Sequence, residues 1–335
     1  MSLPANMTAA SQDYINTIQS LRKNLVSENV PLPIRFRALF SLKHLAKTAE
    51  DDATAQPAID AIGAAFTTSS ALLKHELAYC LGQTGKLGAV CCLRNVLSDL
   101  KEDAMVRHES AEALGALGDV GNLDLLRHFR DREGEDISVK ETCEIAIERI
   151  EWENSEQKRI EKLRQSDFAS VDPAPPLPES SKSVPELSKE LMDTNLPLFL
   201  RYRAMFALRD LASPPNAPTA ISAVEALAQG FADESALFRH EIAFVFGQLS
   251  HPASIPALTS ALSNLKEASM VRHEAAEALG SLGEVDGVED TLRKFLHDEK
   301  RVVRESVIVA LDIADYEKGE QVEYAFIPKA SDVSA

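Results

Sequence analysis

Residues 104–118 read Ala-Met-Val-Arg-His-Glu-Ser-Ala-Glu-Ala-Leu-Gly-Ala-Leu-Gly. They recur at 269–283 as Ser-Met-Val-Arg-His-Glu-Ala-Ala-Glu-Ala-Leu-Gly-Ser-Leu-Gly. Val106, Ala113, Leu114 and Leu117 fall on one helical stripe. Gly118 and Gly283 follow, and a residue that tolerates positive φ is expected to stop each helix there. A second pair of segments, Ser-Ala-Leu-Leu-Lys-His-Glu-Leu-Ala-Tyr (70–79) and Ser-Ala-Leu-Phe-Arg-His-Glu-Ile-Ala-Phe (235–244), precedes the first in the same register. His75 and His108 are 33 residues apart, as are His240 and His273, and the halves repeat after 165. An amphipathic segment lies upstream at Ala89 to Leu100, with a counterpart at Ile255 to Leu265. Two helices per 33 residues form an α-hairpin unit that must stack on copies of itself to bury its apolar face.

The register extends to four more units, at Ile34-Arg35-Phe36-Arg37-Ala38, Val139-Lys140-Glu141-Thr142, Leu200-Arg201-Tyr202-Arg203-Ala204 and Val303-Arg304-Glu305-Ser306. The expected fold is an all-α superhelix of eight hairpins in two symmetric halves. Val-Arg-x-x-Ala-x-x-Ala-Leu-Gly resembles the second helix of HEAT repeats. No strand alternation and no phosphate-binding glycine pattern is found. Residues 1–153 form the first half and 186–320 the second, with a tail at 321–335. Between them, 154–185 is dense in proline (Pro173, Pro175, Pro176, Pro178, Pro185), which cannot continue a helix. This stretch reads as a linker able to move, long enough for the halves to face one another.

The four outer units are an internal control. Where the inner units carry His-Glu they carry Phe-Arg, Glu-Thr, Tyr-Arg and Glu-Ser, so the scaffold does not need His-Glu. The preceding Arg or Lys persists in all units, which makes Lys74, Arg107, Arg239 and Arg272 structural.

The chain has 335 residues, 45% of them apolar, and a net charge of −17. No basic stripe suits nucleic acid, and an acidic surface steers cationic partners. Cys80, Cys91, Cys92 and Cys143 are expected to be reduced, packed thiols. No segment reads as a signal peptide or is long and apolar enough to span a membrane.

Four of the eight histidines sit in the His-Glu lattice: His75-Glu76, His108-Glu109, His240-Glu241 and His273-Glu274. Equivalent helices in adjacent repeats should set His75 beside His108 and His240 beside His273. Neighbouring residues on a helix diverge by roughly 100°, so some of the glutamates are free for other roles. Two imidazoles and a carboxylate form the facial set of non-haem iron, which activates oxygen, and each half supplies one. Two facing irons about 4 Å apart would share dioxygen. The zinc pattern His-Glu-x-x-His is absent.

A HEAT-repeat dyad with two tandem His-Glu motifs per half resembles the deoxyhypusine hydroxylases over essentially the whole chain. The resemblance implies a di-iron, O2-dependent monooxygenase. Its protein substrate would be the deoxyhypusine form of translation initiation factor 5A, whose side chain it would convert to hypusine. It further implies that His75, His108 and Glu109 hold one iron and His240, His273 and Glu274 the other. Glu76 and Glu241 would sit at the rim as catalytic, substrate-binding residues that pair with the substrate's ammonium groups. Met105 and Met270 are weaker candidates for the substrate tunnel, with helix-start packing as the alternative. Glu112 and Glu277, four residues after a histidine, are either hydrogen-bond partners of imidazole or ordinary repeat residues. Gly82 and Gly247 read as close-packing positions, and His44, His128, His251 and His297 receive no role. The expected protein is monomeric and cytoplasmic, with the nucleus a second compartment. Two other classes stay open at this point: a non-catalytic solenoid adaptor, and a HEAT-type lyase acting on a pigment or cofactor.

Overall fold

A computed structural model describes residues 9–163, 167–178, 182–214 and 217–317. The expected tail, 321–335, and the last residues of the second half lie outside them. Every regular element among the described residues is helical. The first four hairpins are α1 (Ala9–Val26) with α2 (Leu32–Thr48), α3 (Asp52–Gly63) with α4 (Ala71–Gln83), α5 (Val90–Ser98) with α6 (Ala104–Leu117), and α7 (Leu123–Asp131) with α8 (Ile137–Glu153). A short α9 (Glu156–Ile160) follows. The second four are α10 (Val184–Met192) with α11 (Leu198–Ala212), α12 (Ala220–Ala228) with α13 (Ala236–Leu249), α14 (Ile255–Ser263) with α15 (Ser269–Gly280), and α16 (Val288–Arg293) with α17 (Arg301–Glu317). The eight expected hairpins are present, and α10 begins inside the stretch read as linker.

The persistent basic residue has a definite job. The first helix of each hairpin ends with backbone carbonyls that lack a helical partner. Arg35, Arg107, Arg201 and Arg272 each donate Nε to such a carbonyl, of Leu25, Leu97, Leu191 and Leu262, at 2.9 Å. Their remaining donors meet acids: Arg107 grips Glu135 at 2.6 and 2.8 Å, and Arg272 reaches Asp298. Lys74 and Arg239 instead pair with Glu102 and Glu267 of the following hairpin.

Glycines set how closely the second helices approach. A Cβ added at Gly82 would lie 2.8 Å from Ala113, at Gly115 2.9 Å from Ala146, and at Gly280 2.8 Å from Ala310. Of these, the Gly82 contact joins the two His-Glu helices of the first half, α4 and α6, while Gly115 and Gly280 seat the outer helices α8 and α17. Gly118 ends α6 at φ +69° as expected. Gly283 does not do the same for α15. That helix already ends at Gly280, and Gly283 is needed because a Cβ there would collide with Ala314. At Gly247 the corresponding gap is 3.4 Å, ordinary contact. Gly82→Ala should therefore destabilise by about 1–3 kcal/mol, because the added methyl meets backbone. Gly247→Ala should be neutral or stabilise by up to about 1 kcal/mol through helix propensity. Urea unfolding midpoints of the two variants check this ordering.

The halves close into a ring. α17 packs on α2 and α4, and α8 on α11 and α13. The same device serves both junctions. Ser70, which caps α4, donates to Glu305 at 2.7 Å, and Ser235, which caps α13, donates to Glu141 at 2.7 Å.

Residues 167–178 of the linker are not the loose connection that the prolines suggest. Ala174 is fully buried, Phe168 and Leu177 pack on the core of the second half, and Arg203 donates to the carbonyls of Pro175 and Pro176. Proline removes backbone donors but leaves carbonyls that arginine can hold. Two of the four cysteines, Cys80 and Cys143, are buried, and burial pushes the Cys143 thiol up to about 12. Cys91 is exposed, contrary to the packed thiol expected.

Candidate metal centre

The second helices of the inner hairpins (α4, α6, α13 and α15) carry the His-Glu pairs, and ring closure points them at one centre. The His75 ring lies 5.4 Å from His108, 5.7 Å from His240 and 5.2 Å from His273, centroid to centroid. His240 lies 5.5 Å from His108 and 5.3 Å from His273. Distances across the halves match those within a half, so the imidazoles form one cluster. All four are nearly inaccessible, His108 and His273 wholly so.

Carboxylates stand against this cluster. His75 Nδ1 is 3.3 Å from Glu76 and its Nε2 is 3.3 Å from Glu109, the latter without hydrogen-bond alignment. His240 Nε2 is 3.4 Å from Glu274, and His273 Nδ1 is 4.0 Å from Glu274 and 3.5 Å from Glu277. Compact donor sets, with ligand atoms within 4.8 Å of one another, are His75, His108 and Glu109 within the first half, His75, His240 and His273 across the halves, and His273, Glu274 and Glu277.

Buried nitrogens normally have hydrogen-bond partners. Here His75 Nε2, both ring nitrogens of His108 and His240, His273 Nε2 and Glu241 Oε1 have none among the described residues. Burial would drive the His75 imidazole down, but Glu109 and Glu76 outweigh it and hold it well above its ordinary value. His108 and His273 are pushed well below theirs, by burial and then by the neighbouring imidazoles. Burial, reinforced by surrounding acids, pushes Glu112, Glu241 and Glu277 well above the usual carboxylate range. Orphaned imidazole nitrogens facing concentrated carboxylate fit transition-metal cations.

A cavity of about 290 Å³ opens from this cluster. Its walls include Glu76, Glu109, Glu112, Glu241, Glu274 and Glu277. Against these six carboxylates Lys43 is, among the described residues, the sole lysine or arginine in the wall. Tyr79 and Phe244, related by the repeat, meet edge to face across it at 6.0 Å.

Several expectations change here. Glu76 and Glu241 do line the cavity, but not at an exposed rim, being 7% and 1% accessible. Glu112 and Glu277 are wall residues rather than ordinary repeat positions, and Glu277 also accepts from Ser306 at 2.9 Å. Met105 and Met270 do not line the cavity. On each helix the wall residues lie at or beyond the histidine, toward the C-terminal end. The methionines lie one turn the other way, and Met270 packs on the hydrophobic core. His251 has a structural use, accepting from the Ala253 amide to cap a short turn. Sequence reasoning missed Phe40, Lys43, Tyr79, Phe244, Gln248, Ser281 and Ile313. Tyr79 and Phe244 had a signal, since they stand four residues beyond His75 and His240.

Comparison with known proteins agrees with this architecture. Residues 59–148 and 224–312 match the HEAT-repeat family. The chain is 71% identical to the deoxyhypusine hydroxylase of Gibberella zeae, covering all of both chains. It is 70% identical to that of Neurospora crassa, over 94% of this chain and 98% of the other. The structure of human deoxyhypusine hydroxylase in complex with glycerol superposes with a TM-score of 0.81 at 42% identity, covering 92% of this chain and 99% of that one. With two halves, intact His-Glu pairs and full-length identity at this level, the chain belongs to the deoxyhypusine hydroxylase family of HEAT-repeat enzymes.

Proposed function

We propose that this enzyme hydroxylates the deoxyhypusine side chain of translation initiation factor 5A, using two irons and dioxygen. The observation that carries this reading is the charge imbalance of the cavity. Six carboxylates surround a space whose wall offers one lysine and four clustered imidazoles nearby. Buried carboxylates without compensating cations are costly, so the site is built for positive guests. Two metal ions and a diammonium side chain are such guests. A non-catalytic adaptor has no use for this interior.

In this reading His75, His108 and Glu109 hold one iron and His240, His273 and Glu274 the other. The irons would supply the dioxygen reduction needed to place one oxygen atom in a C–H bond, while the second leaves as water with two electrons from a donor and two protons. The rest is done by the chain. Glu76 and Glu241 accept the substrate's ammonium groups and so position the methylenes between them. Tyr79 and Phe244 present ring surface to those methylenes and narrow the space available to water. Glu277 accepts from Ser306 and holds a carboxylate beside His273 Nδ1, which fixes that ring's orientation.

The test is iron content per chain after anaerobic loading, followed by incubation of the loaded enzyme with deoxyhypusine-bearing factor 5A, reductant and air. The expected result is bound iron and a mass gain of one oxygen atom on the factor. Tight binding of the factor with no metal uptake and no mass change would return the chain to the adaptor class.

A further inference from the structure

The two halves repeat, but the cavity wall does not. Phe40 and Lys43 of α2 line it, as do Gln248, Ser281 and Ile313. Repeat register relates these to Phe206, Arg209, Gln83, Ala116 and Arg149, and none of those five belongs to the wall. One side of the mouth is therefore open and its counterpart is not.

What occupies the counterpart is the linker. Gln83 donates to the carbonyl of Val171 at 3.0 Å and accepts from its amide at 2.7 Å. Its equivalent in the second half, Gln248, donates to Ser170 at 2.8 Å and Asp172 at 3.3 Å. Lys47 holds the carbonyl of Ala169 at 3.0 Å. Arg209 pairs with Asp172 at 2.7 Å, fully buried between the rings of Phe168 and Phe206. The same register position in the first half is Lys43, partly exposed and seated over Phe40 and Tyr79. Both halves thus grip one short segment.

We propose that residues 168–176 are a fixed strap that closes one of two symmetry-related sides of the mouth, with Asp172 as its anchoring residue, so that the substrate side chain enters only past Phe40, Lys43, Ser281 and Ile313. A two-fold cavity would accept a long diammonium chain in two opposite directions. The strap removes one of them and so gives Glu76 and Glu241 unequal tasks. Asp172 is a positioning residue, since it acts through the strap. This inference rests on the substrate reading above, while the strap itself can be measured without substrate.

The experiment uses the iron-loaded enzyme. Strap release is scored first, by hydrogen exchange at the Val171 amide, which should be protected in the parent and exposed in Asp172→Ala, a change that leaves its Gln83 acceptor in place. Continued protection in Asp172→Ala would overturn the anchoring role. Binding of a deoxyhypusine-bearing factor 5A peptide is then measured calorimetrically. Ser281→Trp, which fills the open side, should weaken it by more than about tenfold. Ile313→Trp serves as a second block should the first variant fail to fold. Adding Asp172→Ala to the blocked variant should restore binding to within a fewfold of the parent. Unimpaired binding in the blocked variant, or no restoration once exchange shows the strap released, would refute the proposal. A parent enzyme that binds no peptide would sink the substrate reading instead, and the exchange result would still decide whether the strap is anchored as described.

Discussion

His75→Ala and His273→Ala are each expected to lose most of the bound iron and all hydroxylation. The cluster geometry gives the reason. His75 belongs to a donor set within its own half and to another that crosses to His240 and His273. His273 is fully buried and faces Glu274 and Glu277. Loss of either ring removes an imidazole donor from these sets, and removal even of outer support costs about 10–100-fold in metal affinity. The two variants should differ without metal. Carboxylates hold His75 above its ordinary value, whereas burial and the neighbouring imidazoles drive His273 down. Metal-free His75→Ala should therefore melt below metal-free His273→Ala, because His75 is the ring whose protonated form the buried acids favour. Elemental analysis gives the iron per chain, and parent-level iron in either variant would sink the assignment.

The parts that the sequence made legible share one cause. A repeat writes the same local physics many times, so its period, its helices and its constant basic residue can be read against each other. Arg107 and Arg272 could be identified as scaffold because units lacking histidine carry a base at the same place. Their hydrogen bonds to Leu97 and Leu262 show why. The pairing of His75 with His108 followed from adjacent stacking alone. That His75 would also lie 5.2 Å from His273 did not follow from the repeat, because it depends on ring closure by contacts such as Ser70 with Glu305.

What was not legible depends on direction along the helix or on chain outside the repeat. The period places Met105 and Glu112 near the same histidine, one turn before it and one turn after. Only the end at which the cavity opens decides between them, and it opens on the side of Glu112. Composition likewise misjudged the linker. Proline content forbids helix but not docking, and the partners that hold this segment, Gln83, Arg203, Arg209 and Gln248, are spread through both halves.

Glu76→Ala and Glu241→Ala are expected to keep iron and lose substrate, while Glu109→Ala and Glu274→Ala lose iron first. Glu109 and Glu274 reach imidazole nitrogens of the neighbouring repeat, at 3.3 and 3.4 Å, as residues sharing a metal with them would. Glu241 turns an oxygen with no hydrogen-bond partner into a buried position on the cavity wall. A buried carboxylate so placed is costly unless a cation arrives, and the substrate's ammonium group is one. Losing a charge-assisted hydrogen bond costs about 1.5–3 kcal/mol, or roughly ten- to a hundredfold in affinity. The loss at Glu241 should exceed that at Glu76, because Glu76 keeps a contact with His75 Nδ1 and is less deeply buried. Iron content and peptide affinity measured on all four variants separate the roles. Iron lost from Glu76→Ala but retained in Glu109→Ala would invert the division of labour and leave the metal centre standing. Four variants with parental iron and parental affinity would place the chemistry elsewhere and remove the case for this cavity as the active site.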